Sequence, residues 1–200
     1  MRVYVLCSER RVYAIQGRIS EVTTSRDRER MNLGRICHML AAHAVTIAAL
    51  TSDLSEPEAC VVYINGQWSF KEVMGHLFDE EQHDFRTRVF QTMSAPSSVL
   101  PAIDPEGWVV AHQYAGQKFS VLRDGFLLER RNSIASLESF TKTNWEQTLN
   151  AEHLAGLTAG DILWSWVTHD VLHIRQLSEL RYAMIAAQAG THSIRYAGEW

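Results

Sequence analysis

Proline stands at four positions, Pro57, Pro96, Pro101 and Pro105, and nowhere else in the 200 residues. Residues 1–56 and 106–200 therefore lack the residue that removes a helix-interior N–H and clashes with the preceding turn. Stretches of that length without proline permit long helices. The hydrophobic share of 46% and charged share of 21% are those of a globular chain that can build a core without staples.

Apolar periodicity fills these stretches. Ile36, Met39, Leu40, His43, Ile47 and Leu50 recur at helical spacing and predict a first helix over 29–52. Ser55-Glu56-Pro57-Glu58 reads as a loop, and Asn65-Gly66 as a turn. A second helix is predicted from Ser69 to about Met93. Ser69 and Glu72 have the spacing of a capping box, and Phe70, Val73, Met74, Leu77, Phe85 and Val89 form its stripe. Asp79, Glu80, Glu81 and Asp84 are assigned to its outer, solvated face. Residues 94–116 hold three of the prolines and read as a long connection that packs down through Trp108, Val109 and Val110. A third helix is predicted over about 117–148, with Phe119, Leu122, Phe126, Ile134, Leu137 and Phe140 as its stripe. A fourth runs from the Thr158–Asp161 capping box to about Ala187, with Gly190 ending it. Four long amphipathic helices make an all-α four-helix bundle over 29–190, flanked by an N-terminal extension, 1–28, and a tail, 191–200. Val3, Val5, Tyr13 and Ile15 alternate weakly, as in short strands.

Charge and cysteine content exclude several classes. A net charge of −4 leaves no basic field for nucleic acid. Cys7, Cys37 and Cys60 are widely spaced and form no CxxC, which argues against a disulfide framework or an all-cysteine zinc site. The Met1 end has no signal-peptide pattern, and the apolar run Met39–Leu50 contains His43 and is too short to span a bilayer. The expected setting is a reducing cytoplasm.

Histidine carries the chemistry. His169 and His173 are i and i+4 on the fourth helix, so both imidazoles project from one face. Trp166, Leu177 and Leu180 share that face, which turns it inward. His76 follows Val73 by one turn and faces inward from the second helix, where a bundle site would find its third ligand. Three imidazoles would leave coordination positions open for water or substrate. They do not choose among Zn, Ni, Fe and Mn.

Trp68-Ser69-Phe70-Lys71-Glu72-Val73-Met74-Gly75-His76-Leu77 resembles the second-helix signature of the DinB-like superfamily, W-S-x-x-E-x-x-x-H-L. His169-Asp170-Val171-Leu172-His173-Ile174-Arg175-Gln176 resembles its fourth-helix signature, H-x-x-x-H-x-x-Q. The stretch from Leu100-Pro101 through Trp108 to Tyr114 is similar to the family's middle connection, so the likeness spans roughly residues 30–187. It implies a bundle of up-down-down-up order, often a homodimer, with one divalent metal on His76, His169 and His173. It also implies kinship with mycothiol-dependent maleylpyruvate isomerases and bacillithiol transferases. One departure is Leu172, where family sequences often carry a further histidine.

The expected function is that of a metal-dependent enzyme acting on a small molecule, either a thiol-dependent S-transferase or a hydrolase. Glu80, i+4 from His76, is the candidate acid, set against its reading as a solvated carboxylate. Asp170 has the same two readings, and Gln176 either donates to a ligand or satisfies the interior. The His169–His173 spacing also matches the zincin ligand pair, but Asp170 stands where the zincin glutamate base belongs. A different class is a metal-stabilised binding or stress-response module without turnover. His38, His43, His83, His112, His153 and His192 receive no role, and Trp68, Trp145, Trp164 and Trp166 are assigned to core or interface.

Overall fold

The structure is a computed structural model, and it describes residues 31–97, 99–100, 103–140, 143–148 and 156–198. The chain divides into two units at Met31/Asn32, and the described helices belong to the unit Asn32–Trp200. The expected strands and extension of residues 1–28, and His153, lie outside the described residues.

The described residues are helical, with one isolated β-bridge between Thr148 and Thr158. Four long helical segments form the bundle. The first is α1 (Leu33–Thr51), which Asn32 starts by accepting the Arg35 N–H at 2.9 Å. A short α2 (Glu56–Cys60) replaces the predicted loop. The Ser55–Glu58 capping box and Pro57 near its start explain why helix forms there. The second long segment is α3 (Phe70–Asp79), continued by a π-helical stretch (Glu80–Phe85) and α4 (Arg86–Ser94). Ser69 caps it as predicted: its Oγ accepts the Glu72 N–H, while Glu72 Oε2 accepts the Ser69 N–H at 2.7 Å.

The middle connection contains α5 (Pro105–Ala111), started by Asp104, and a 3-10 turn at Tyr114–Gly116. Trp108 and Val109 lie against the core as expected, but Val110 points outward and is exposed. The third long helix, α6 (Phe119–Glu138), stops ten residues short of the predicted 148. Its last turn tightens, with the Phe140 N–H bonding Leu137 O and Ser139 Oγ bonding Ser136 O. Phe140 then leaves the helical stripe and packs its ring 4.7 Å from Phe90. The fourth, α7 (Ala159–Gln188), starts at the Thr158–Asp161 capping box. Gly190 follows it at φ +58°, a left-handed backbone that favours glycine.

Helix α1 packs on α6 and α7, α3 on α6, and α4 on α7. The core joins Ile47, Phe70, Val73, Met74, Leu77, Leu122, Phe126, Leu177 and Leu180. Each such fully buried large side chain contributes about 1.5–3 kcal/mol. By length and composition alone, the 19-residue α1 could cross a membrane. Here it is a bundle helix, with Ile36, Leu40 and Ile47 fully buried. One outward assignment reverses: Asp79, Glu80, Glu81 and Asp84 are all buried, whereas Trp164 is exposed and lies outside the core of this chain.

Candidate metal centre

His76 on α3 and His169 and His173 on α7 converge as the sequence predicts. Their Nε2 atoms stand 3.3 Å (His76–His169), 3.1 Å (His76–His173) and 3.1 Å (His169–His173) apart. All three residues are buried. Burial holds each imidazole below its ordinary pKa, well below for His76 and His169, and mutual repulsion with neighbouring imidazoles adds to the effect at those two. The neutral rings are in the state that binds a metal.

Hydrogen bonding among the rings cannot account for this triangle. Each neutral Nε2 is either a donor or a lone pair, so among three mutual contacts at least one pair must match and repel. A cation accepting all three lone pairs removes the conflict. The spacing fits one. Ligation at roughly 2.0–2.1 Å puts tetrahedral nitrogens about 3.3 Å apart, and one face of an octahedron about 3.0 Å apart. The observed triangle, with edges of 3.1–3.3 Å, lies between them. Among the described residues the cluster has these three members.

One outer nitrogen is arranged for the same end. His173 Nδ1–H donates to Gln176 Oε1 at 2.8 Å, which leaves Nε2 as the lone pair. Gln176 thus orients the His173 ring, the interior alternative of its two sequence readings. His76 Nδ1 is buried without a hydrogen-bond partner, and Glu80 Oε1 lies 4.0 Å from it. Glu80 is itself buried and not a solvated carboxylate. Burial, with Asp84 adding to it, pushes Glu80 up to about 9, so it holds a proton at neutral pH. Aromatic rings wall the site. Trp68 lies 5.0 Å from the His76 ring and Phe85 lies 4.9 Å from His169, centroid to centroid.

A family model describing the DinB superfamily matches residues 39–177. The chain belongs to the DinB superfamily. Among solved structures it is similar to YfiT from Bacillus subtilis, described as a probable metal-dependent hydrolase with an unusual four-helix bundle topology. That match has a TM-score of 0.68 at 16% identity and covers 82% of this chain and 95% of the other. At that identity it shows the four-helix-bundle fold. No curated protein matches the chain.

Several buried groups around the DinB-type histidines escaped sequence reasoning. Asp170 is fully buried. It takes a bidentate pair from Arg130 and a 3.2 Å bond from His43 Nδ1. Burial would raise its carboxyl, but Arg130 and His43 outweigh that and hold it low. Asp170 thus anchors α7 and is neither solvated nor a metal ligand. Glu81 pairs with Arg130 and accepts the Trp166 indole N–H at 3.0 Å. Asp79 accepts from Tyr114 Oη and, at 2.6 Å, from His112. His112 therefore acquires a partner that the sequence did not suggest. His83 stays half-exposed, its Nε2 4.0 Å from Asp79 Oδ1 and outside the ligand triangle.

A signal for Arg130 and Glu81 was present. Arg130 continues the inward Phe119, Leu122, Phe126 spacing, and Glu81 continues that of Met74 and Leu77. A charge on an apolar stripe needs a buried partner.

Proposed function

We propose that this chain is a metal-dependent enzyme whose His76, His169 and His173 hold one divalent cation and leave its remaining positions to water and substrate. The observation that carries the reading is the buried triangle of neutral Nε2 atoms, which hydrogen bonding cannot satisfy. Three protein ligands suit a catalytic site, whereas structural zinc sites close with four. When bound, the metal would supply Lewis acidity that lowers the pKa of a water or a thiol.

The protein side chains do the rest. Gln176 fixes the tautomer of His173. Trp68 and Phe85 cover the imidazoles and keep the surroundings apolar. Glu80, buried 4.0 Å from His76 Nδ1 and with its pKa raised by that burial, is the acid this reading assigns to the site. Hydrolysis and transfer of a low-molecular-weight thiol both use this arrangement. The substrate in either case is a small electrophile, and the working form is a homodimer.

Metal analysis of the purified protein should give about one ion per chain, as three neutral imidazoles imply. His76→Ala, His169→Ala and His173→Ala should each lose it, and His83→Ala should keep it. Full occupancy in all three of the former would overturn the assignment. A panel of glutathione, bacillithiol, mycothiol and coenzyme A with electrophilic acceptors, run beside ester and amide substrates, separates transfer from hydrolysis. Tight metal binding with no turnover on either panel would favour the non-catalytic module. Light scattering tests the dimer.

A further inference from the structure

We propose that Arg130 is the positioning residue of the tri-histidine site: its guanidinium, held between Glu81 and Asp170, fixes the two ligand-bearing helices in the register at which the three Nε2 atoms meet. The inference rests on the metal-binding reading above and assigns the residue that sets the site's geometry.

Arg130 lies on α6, which carries no ligand. It is 1% exposed, and every N–H it has meets an acceptor. Nε donates to Glu81 Oε1 at 2.9 Å. Nη1 donates to Asp170 Oδ2 at 2.6 Å and to the Leu40 carbonyl at 3.1 Å. Nη2 donates to Asp170 Oδ1 at 2.8 Å and lies 2.8 Å from Glu81 Oε2. One planar fork therefore ties α6 to α1, to α7 and to the π-helical stretch.

The two anions sit where they control ligands. Asp170 directly follows His169 on α7. Glu81 directly follows Glu80, the neighbour of His76, and also takes the Trp166 indole N–H. The Trp166 ring stacks on Phe85 at 6.0 Å and 7°, and Phe85 lies against His169. His169 is thus located from two directions, through Asp170 along the backbone and through Trp166 and Phe85 across the core.

The register has little tolerance. A side-chain tip about 6 Å from a helix axis moves about 1 Å when the helix turns by roughly 10°. Catalytic constellations tolerate displacements of only about 0.5 Å. A buried ion network of this kind adds little to stability over apolar packing, so stability alone is a weak account of it. Lysine at 130 would keep the charge but lose the fork.

The test measures Co2+ affinity of the full chain by chelator competition, together with the cobalt ligand-field spectrum. Arg130→Lys should bind about 10–100-fold more weakly, in the range of outer-sphere changes at metal sites, with an altered spectrum. Leu122→Ala, a buried α6 change that should lower the melting temperature, should keep both. In the combined variant Glu81→Met/Arg130→Met/Asp170→Leu, apolar packing should restore the fold while affinity stays at least about tenfold down. Cobalt binding by Arg130→Lys within about twofold of the natural protein, with the same spectrum, would overturn the inference and leave the metal site standing; so would such binding by the combined variant. A natural protein that takes up no cobalt would overturn the metal reading and this inference with it.

Discussion

Replacing Glu80 with glutamine should make the metal-free protein acid-labile, because Glu80 and the ligand histidines have opposite pH linkage. His76 and His169 are held well below their ordinary pKa of 6.5 by burial, and His173 is lowered as well. Below 6.5 the unfolded chain binds protons that the folded chain refuses, so stability falls as pH falls. Each proton is worth about 1.4 kcal/mol per pH unit. From about pH 7.5 to about pH 5.5 each proton refused by a histidine costs at most about 1.4 kcal/mol, which sets a ceiling of about 4 kcal/mol for the three. Glu80 acts the other way. Its folded carboxyl is raised to about 9 from 4.5, so the folded state holds a proton that the unfolded state has lost. Over the same two units this adds about 3 kcal/mol as pH falls.

The two contributions nearly cancel in the natural sequence, leaving a loss of about 1 kcal/mol or less. Glu80→Gln removes the compensation and should expose a loss of up to about 4 kcal/mol. Urea unfolding in the presence of a chelator, followed by circular dichroism across that pH range, measures both. A Glu80→Gln profile as flat as that of the natural protein would refute the reasoning, as would a natural protein that itself loses about 3–4 kcal/mol.

Gln176→Ala frees His173 Nδ1 and should lower metal affinity about 10–100-fold with little loss of helix; unchanged affinity in a chelator competition would show that the tautomer is held by another group. Gly75→Ala would put a methyl carbon 2.7 Å from the Tyr114 ring. The overpacking should cost about 1–3 kcal/mol by urea melts, outweighing the up to about 1 kcal/mol that alanine gains over glycine in a helix. A net gain would mean that Tyr114 does not rest on α3.

All four long helices were legible in the sequence, and their starts were sharpest where a cap accompanied the stripe. The Ser69–Glu72 and Thr158–Asp161 boxes located two starts to within a residue, because capping is a contact between residues three apart. The same box at Ser55–Glu58 was present but masked by the proline beside it. The end of α6 was misplaced because Phe140 kept the apolar spacing past the helix, and only its packing on Phe90 shows that it has left. The acidic face was misread for a related reason. Periodicity sorts residues into faces, but it does not say what lies opposite a charge.

Local chemistry was enough to read the bundle and the three histidines that converge in it. Proline placement, period and caps are local quantities, and two histidines at i and i+4 must share a face whatever the helix packs against. The burial of Asp79, Glu80, Glu81 and Asp84 was decided only in three dimensions. Their partners come from elements far along the chain: His112 and Tyr114 for Asp79, and Arg130 for Glu81. Whether a carboxylate near a histidine is a solvated surface group or a buried acid depends on the low-dielectric packing around it. That packing exists only once α3, α6 and α7 have met.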